Sequence, residues 1–252
     1  MTFTREDLVD RYSGSLLGGL WSLLMPLVNI LIYTLVFSRI MGMRLAMDGM
    51  ETSRFSYSVY LVSGLLAWQC FGNTVRRMST VYQNKAGIIK KVSLDLRLLP
   101  LYLVASELTI YVISMAFFVV FLLTIDHPLA PAFAWLPVIV LLQQVLAYAL
   151  GLAAGSLSIF LPDVKEFVDI VLNVWFWLTP IVYVGNILSE FWQGVMVWNP
   201  AFHFVEAYRQ VILAGEAPAT AFLLVSGGAC VILMAAVLFV SKKLEQDIRD
   251  FV

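Results

Sequence analysis

Six long, mainly apolar runs dominate this sequence, at residues 16–40, 58–75, 98–125, 133–161, 167–184 and 219–240. The hydrocarbon core of a bilayer, about 30 Å thick, is crossed by about 20 helical residues. Inside it no water is available to the backbone, so a crossing segment must satisfy its own N–H and C=O groups as a helix. The runs therefore predict an all-α polytopic membrane protein with six transmembrane helices, a single transmembrane domain over residues 1–252. Composition agrees: 61% of residues are apolar and 13% charged, against roughly 25% charged in soluble domains. The 16 Lys and Arg are balanced by 17 Asp and Glu, so no basic field speaks for nucleic acid. The first run is too long for the core of a signal peptide and lacks an Ala-x-Ala-like cleavage site, so it is expected to stay as a helix.

Orientation follows from the cations in the connections. With the N-terminus inside, twelve of the sixteen Lys and Arg lie on the cytoplasmic side, and Arg39, Arg44, Arg54 and Arg209 lie outside. Both termini are thus expected in the cytoplasm. The third and fourth runs are joined by a short turn with His127, Pro128 and Pro131, which predicts a tight hairpin of adjacent helices. Two segments are amphipathic but too short to span. Thr4 and Asp7 fit a capping box, with Phe3 and Leu8 as a hydrophobic staple, so an interface helix is expected to begin at Thr4 within residues 1–15 and to show Leu8, Tyr12 and Leu16 on one side. Residues 186–213, in an outer gate region of 185–218, mix short apolar runs with Glu190, Asn199, Pro200, His203, Glu206 and Arg209, and predict re-entrant or interfacial helices.

The sequence has no Gly-rich loop ending in Gly-Lys-Ser or Gly-Lys-Thr to hold a nucleotide phosphate. It has no His-Glu-x-x-His motif, and its two histidines, His127 and His203, fall in separate loops, so neither metal catalysis nor a bound metal is expected. Cys70 and Cys230 lie within apolar stretches and read as small core hydrophobes. Glu107 alone is placed at bilayer depth, near mid-membrane, where a carboxylate is costly. One carboxylate makes a poor proton relay, so it reads as a protonated or hydrogen-bonded contact between helices, with a pathway role as the alternative. Energy for transport must then come from a partner.

At the level of motifs the chain resembles the permease subunits of type-2 ABC exporters, in particular those exporting O-antigen, teichoic acid and capsule polysaccharides. The resemblance covers nearly the whole chain. It rests on Asp10-Arg11-Tyr12-Ser13-Gly14-Ser15-Leu16-Leu17-Gly18 leading to Trp21 and Pro26, and on Tyr60-Leu61-Val62-Ser63-Gly64-Leu65-Leu66-Ala67-Trp68 with Phe71. Further markers are residues 84–91, Leu99-Pro100, Leu161-Pro162-Asp163-Val164, Trp177-Leu178-Thr179-Pro180-Ile181-Val182-Tyr183, Asn199-Pro200 and Glu206-Ala207-Tyr208-Arg209. Members often carry Pro in the Gly-Leu-Leu-x-Trp stretch, where this chain has Ala67.

The resemblance implies an inner-membrane permease with no enzymatic activity of its own, working as a homodimer with two ATPase chains that bind ATP and Mg. Its substrate class is a lipid-linked polysaccharide, O-antigen-like; teichoic acid, capsule polymer, or a small lipid or drug remain as alternatives. Residues 76–97 form the one sizeable cytoplasmic connection, and within it Asn84, Lys85, Ile88, Ile89 and Lys91 read as a coupling helix seated on the ATPase, the alternative being a topology signal alone. Sugar C–H faces stack on aromatic rings, and Tyr33, Phe37, Trp68, Phe71, Trp175 and Trp177 are the candidates to line a passage, with helix packing or interfacial anchoring as the other reading. Arg11 and Tyr12, with Arg5 behind them, are the candidates for gripping a polyprenyl pyrophosphate at substrate loading, since Arg meets phosphate oxygens bidentately; anchoring to anionic lipid is the alternative.

Overall fold

The computed structural model describes residues 2–11, 15, 21–36, 55–91, 95–185 and 188–251. Its regular structure is helical: α1 (Thr2–Asp10), α2 (Trp21–Tyr33), α3 (Ser56–Met78), α4 (Val81–Asn84), α5 (Ala86–Ile89), α6 (Leu101–Thr124), a 3-10 turn (Pro131–Trp135) running into α7 (Leu136–Ser158), α8 (Val164–Leu178), α9 (Glu190–Met196), α10 (Pro200–Arg209) and α11 (Thr220–Phe251). Among the described residues three helices are long and apolar enough to cross a membrane: Leu101–Thr124, Pro131–Ser158 and Thr220–Phe251.

α3 is the axis of the fold, packing against α2, α6, α7, α8 and α10. This explains its mixed composition. A helix wrapped by other helices need not be greasy on every side, so Ser58, Ser63 and Thr74 sit buried along it, with Thr74 Oγ1 donating to Gln144 Oε1 of α7 at 2.9 Å. The α3–α7 contact is the closest. Ideal Cβ atoms at Gly151 and Gly155 would stand 2.7 Å from Met78 Cβ and 2.7 Å from the Met78 carbonyl oxygen. These two glycines, four apart on one face of α7, let the backbones approach as small residues do in membrane helix pairs. Around this contact Met78, Val81, Tyr82, Leu96, Leu99 and Leu152 form a compact apolar end.

Several sequence expectations change at this level. The third and fourth runs do form a helix–turn–helix, with Asp126 at φ 55° in the turn, but α6 and α7 touch little because α3 packs against both. The fifth run stops at Leu178, shorter than expected, and the last extends to Phe251. α1 starts at Thr2, not Thr4, and the capping box does not form, because the Asp7 carboxylate is engaged elsewhere. Tyr12 and Leu16 of its expected apolar side, and much of the first run, lie outside the described residues. Between α8 and α11, α9 and α10 occupy the stretch expected to hold short helices; Asn186, its first residue, lies outside the described residues. α10 is anchored deep, with Phe204, Val205 and Tyr208 buried against α3 and α7. Cys70 and Cys230 are free and buried, as expected.

Candidate functional site

The charged residues expected to act separately converge. Glu107, the seventh residue of α6 and so only about 9 Å along it, is fully buried and not lone: Arg77 Nη1 near the end of α3 lies 2.8 Å from its Oε1, and Arg11 pairs with the same oxygen. Arg77 also pairs with Asp7 of α1. Two carboxylates and two guanidiniums thus tie the N-terminal segment to α3 and α6. Glu107 is an ion-paired contact between α6, α3 and the N-terminal segment, in line with its reading as a hydrogen-bonded contact between helices; it differs in being shared by two arginines rather than solitary and in lying near one end of α6. Arg11 and Arg77 keep 24% and 27% of their side chains exposed, so the cluster has an accessible edge. Arg5 points to the surface, outside these contacts, and Tyr12 lies outside the described residues.

Next to it runs the connection from α3 to α6. α4 and α5 are single turns. Ile89 is 4% exposed, packed among Val81, Tyr82 and Leu96, so it belongs to the protein's own core and not to a docking surface; this corrects the expected Ile88–Ile89 pair. Ile88 is half-buried, and Asn84, Gly87, Lys90 and Lys91 are exposed. The Lys85 ammonium lies 5.9 Å and 5.5 Å from the Phe3 and Tyr102 ring centroids, bridging α5, α1 and α6. At the end of the connection Arg97 grips Asp95 at 2.6 Å and holds that carboxyl below its usual range, chiefly through the side-chain hydrogen bond.

Three of the candidate aromatics are brought together. Trp68 lies 5.6 Å from Phe71 and 6.0 Å from Trp175, and Phe71 lies 5.4 Å from Trp175 in an edge-to-face contact. Phe71 is buried inside the single chain, Trp175 is half-buried and Trp177 on α8 is 59% exposed. Tyr33 packs on the core through α2, apart from this group, and Phe37 lies outside the described residues. Sequence reasoning missed Phe176, 5.8 Å from Trp68, and missed Asp7 and Arg77. The acid–base spacing that would reveal the charged cluster spans three remote segments and leaves no local pattern.

At the other end of α3, seventeen residues and about 25 Å from Arg77, Tyr57 and Tyr60 hold the chain after α8. Tyr57 donates to the Val182 carbonyl, and Tyr60 to that of Tyr183 at 3.0 Å. Asn199 caps α10, accepting from Ala201 N at 3.0 Å, with Pro200 at the first helical position, where it loses no bond. The same side chain accepts from Trp175 Nε1 at 2.7 Å and donates to Thr179 Oγ1 at 3.0 Å. The Asn-Pro pair therefore fastens α10 to the end of α8. α10 ends in a π-helical turn closed by Gly215 at φ 68°, a left-handed residue.

These features define a membrane-spanning helical bundle with a charged latch at one end and a clamped helical cap at the other. The ABC-2 type transporter family matches residues 1–213, and the chain belongs to that family: it is a transporter permease subunit. Among curated proteins it is 27% identical over 218 residues to the O-antigen export system permease protein RfbA of Klebsiella pneumoniae, covering 85% of this chain and 80% of that protein. To the RfbA protein of Myxococcus xanthus it is 24% identical over 249 residues, 97% and 92% of the two chains. The inner membrane transport permease YadH of Escherichia coli (strain K12) is 25% identical over 198 residues, 75% and 74% of the two.

Proposed function

We propose that this chain is the membrane half of an ATP-driven exporter that moves a lipid-linked, O-antigen-like polysaccharide out of the cytoplasm across the inner membrane. The observation that carries the reading is the similarity, over nearly the full length of both chains, to permeases named for O-antigen export. Two copies work with two copies of a separate ATPase, which supplies ATP and Mg binding. Six crossings are assigned, to α2, α3, α6, α7, α8 and α11, with both termini cytoplasmic. The Arg77 end of α3 then lies at the cytoplasmic face and the Tyr60 end at the outer face.

In this reading the glycan passes between the two copies rather than through either one, since Trp68 and Phe71 are enclosed in the single chain. α8 faces the passage: Trp177, Phe167 and Val174 are exposed on it, and Trp175 with its buried neighbours backs them. The pyrophosphate carrier loads at the cytoplasmic latch, where Arg11 and Arg77, held by Glu107, offer the donors on their exposed edges to phosphate oxygens, and Arg5 draws the head group in. Movement of the ATPase reaches the bundle through Ile88, Asn84 and the exposed Lys90 and Lys91.

The test is ATP hydrolysis by the co-purified complex in nanodiscs. Polyprenyl-pyrophosphate-linked O-antigen is expected to raise the rate, with no hydrolysis by the isolated chain. Stimulation by short lipids or drugs and none by the glycan carrier would contradict the polysaccharide assignment.

A further inference from the structure

The clamped end of the bundle holds a guanidinium with more donors than acceptors. Arg209, at the end of α10, is 5% exposed. Its guanidinium carbon stands 3.4 Å from the Tyr60 ring centroid, and Nη2 donates to the Ile181 carbonyl at 3.1 Å. Nε is buried with no acceptor, and Arg209 forms no ion pair among the described residues. A guanidinium carries five N–H donors; an uncompensated buried charge is costly, and in a membrane protein such a charge marks a site.

That site is a cavity of about 470 Å³ beside Arg209, into which Tyr60, Glu206 and Gln210 also face, with Val184, Leu188 and Leu213 as its apolar wall. Glu206 precedes Arg209 by three residues on α10, so the two sit on one face of the helix, yet they do not pair with each other. The cavity presents a cation and an anion side by side: Glu206 acts on Arg209 electrostatically without forming a salt bridge, and neither is ion-paired among the described residues. Phe191, Trp192 and Trp198 are exposed on or next to α9, the pattern of aromatic side chains that concentrate at a membrane–water interface.

We infer that this cavity receives the head group of a zwitterionic phospholipid, its phosphodiester on Arg209 and its primary ammonium on Glu206, with the acyl chains leaving along the apolar wall. Phosphatidylethanolamine has both charges and three ammonium donors. Phosphatidylcholine cannot donate from its methylated nitrogen, and phosphatidylglycerol brings no cation to Glu206. The inference stands apart from the polysaccharide assignment, because it uses neither the latch nor the aromatic group.

The experiment is native mass spectrometry of the full chain extracted from vesicles of equimolar phosphatidylethanolamine, phosphatidylglycerol and phosphatidylcholine. The chain is expected to retain phosphatidylethanolamine over either competitor by about ten-fold, the scale of one charge-assisted contact. Arg209→Gln is expected to lose retention of all three. Glu206→Gln changes only a half-buried side chain and leaves the buried cation in place; it is expected to shift preference to phosphatidylglycerol. Equal retention of the three lipids by the unaltered chain, or an unchanged preference in Glu206→Gln, would overturn the inference.

Discussion

Glu107 shows how one buried side chain commits remote parts of the sequence to each other. Its carboxylate is 1% exposed and serves two guanidiniums through one oxygen. Removing one partner of a buried pair leaves the others uncompensated, at a cost of about 3–5 kcal/mol. Glu107→Gln is therefore expected to lower the unfolding temperature in detergent and to release α1 to protease, whereas Arg5→Gln, at the surface, is expected to change neither. Arg11→Lys separates the roles of the latch. Lysine keeps the charge but not the bidentate geometry, so export is expected to fall with expression intact; full export would reduce Arg11 to a structural tie. That Glu107 is a buried carboxylate in contact with other helices was legible in the sequence, but its partners were not, because Asp7, Arg11 and Arg77 come from segments 30 to 100 residues away and obey no periodicity.

At the scale of elements, the α3–α7 contact and the α4–α5 turns make opposite predictions about small changes. Gly155→Ala puts a methyl group 2.7 Å from the Met78 carbonyl, so the helices must separate; a loss of about 1–3 kcal/mol is expected, read as a lower melting temperature. Gly228→Ala on α11 meets nothing within 4 Å and is expected to be neutral. Ile88→Asp is expected to abolish binding of the ATPase while the chain inserts and melts normally, and Ile89→Asp to destabilise the chain itself, because Ile89 is core. Normal ATPase binding by Ile88→Asp would exclude α5 as the coupling element. Neighbouring isoleucines carry no sequence signal for which one faces inward; that is set by how α5 lies on Tyr82 and Leu96. The same limit applies to Thr4 and Asp7, whose capping-box spacing is overridden by the ion pair to Arg77.

For the whole molecule, helix and membrane class were legible because a bilayer punishes every unsatisfied backbone group, and the apolar runs around α6, α7 and α11 needed no tertiary context. α3 is less apolar than these, and its buried Ser and Thr reflect enclosure by five other helices. The proposed passage between copies leaves no trace within one chain's pattern; it is supported by the enclosure of Phe71 and the exposed apolar residues of α8. The assignment as the membrane half of an ATP-driven polysaccharide exporter is tested most directly by translocation. Proteoliposomes carrying this chain and its ATPase, with radiolabelled polyprenyl-linked O-antigen on the ATPase side, are predicted to move glycan to the opposite side only when ATP is hydrolysed. Glycan movement without ATP or without the ATPase, or ATP hydrolysis by the complex with no glycan crossing, would contradict it.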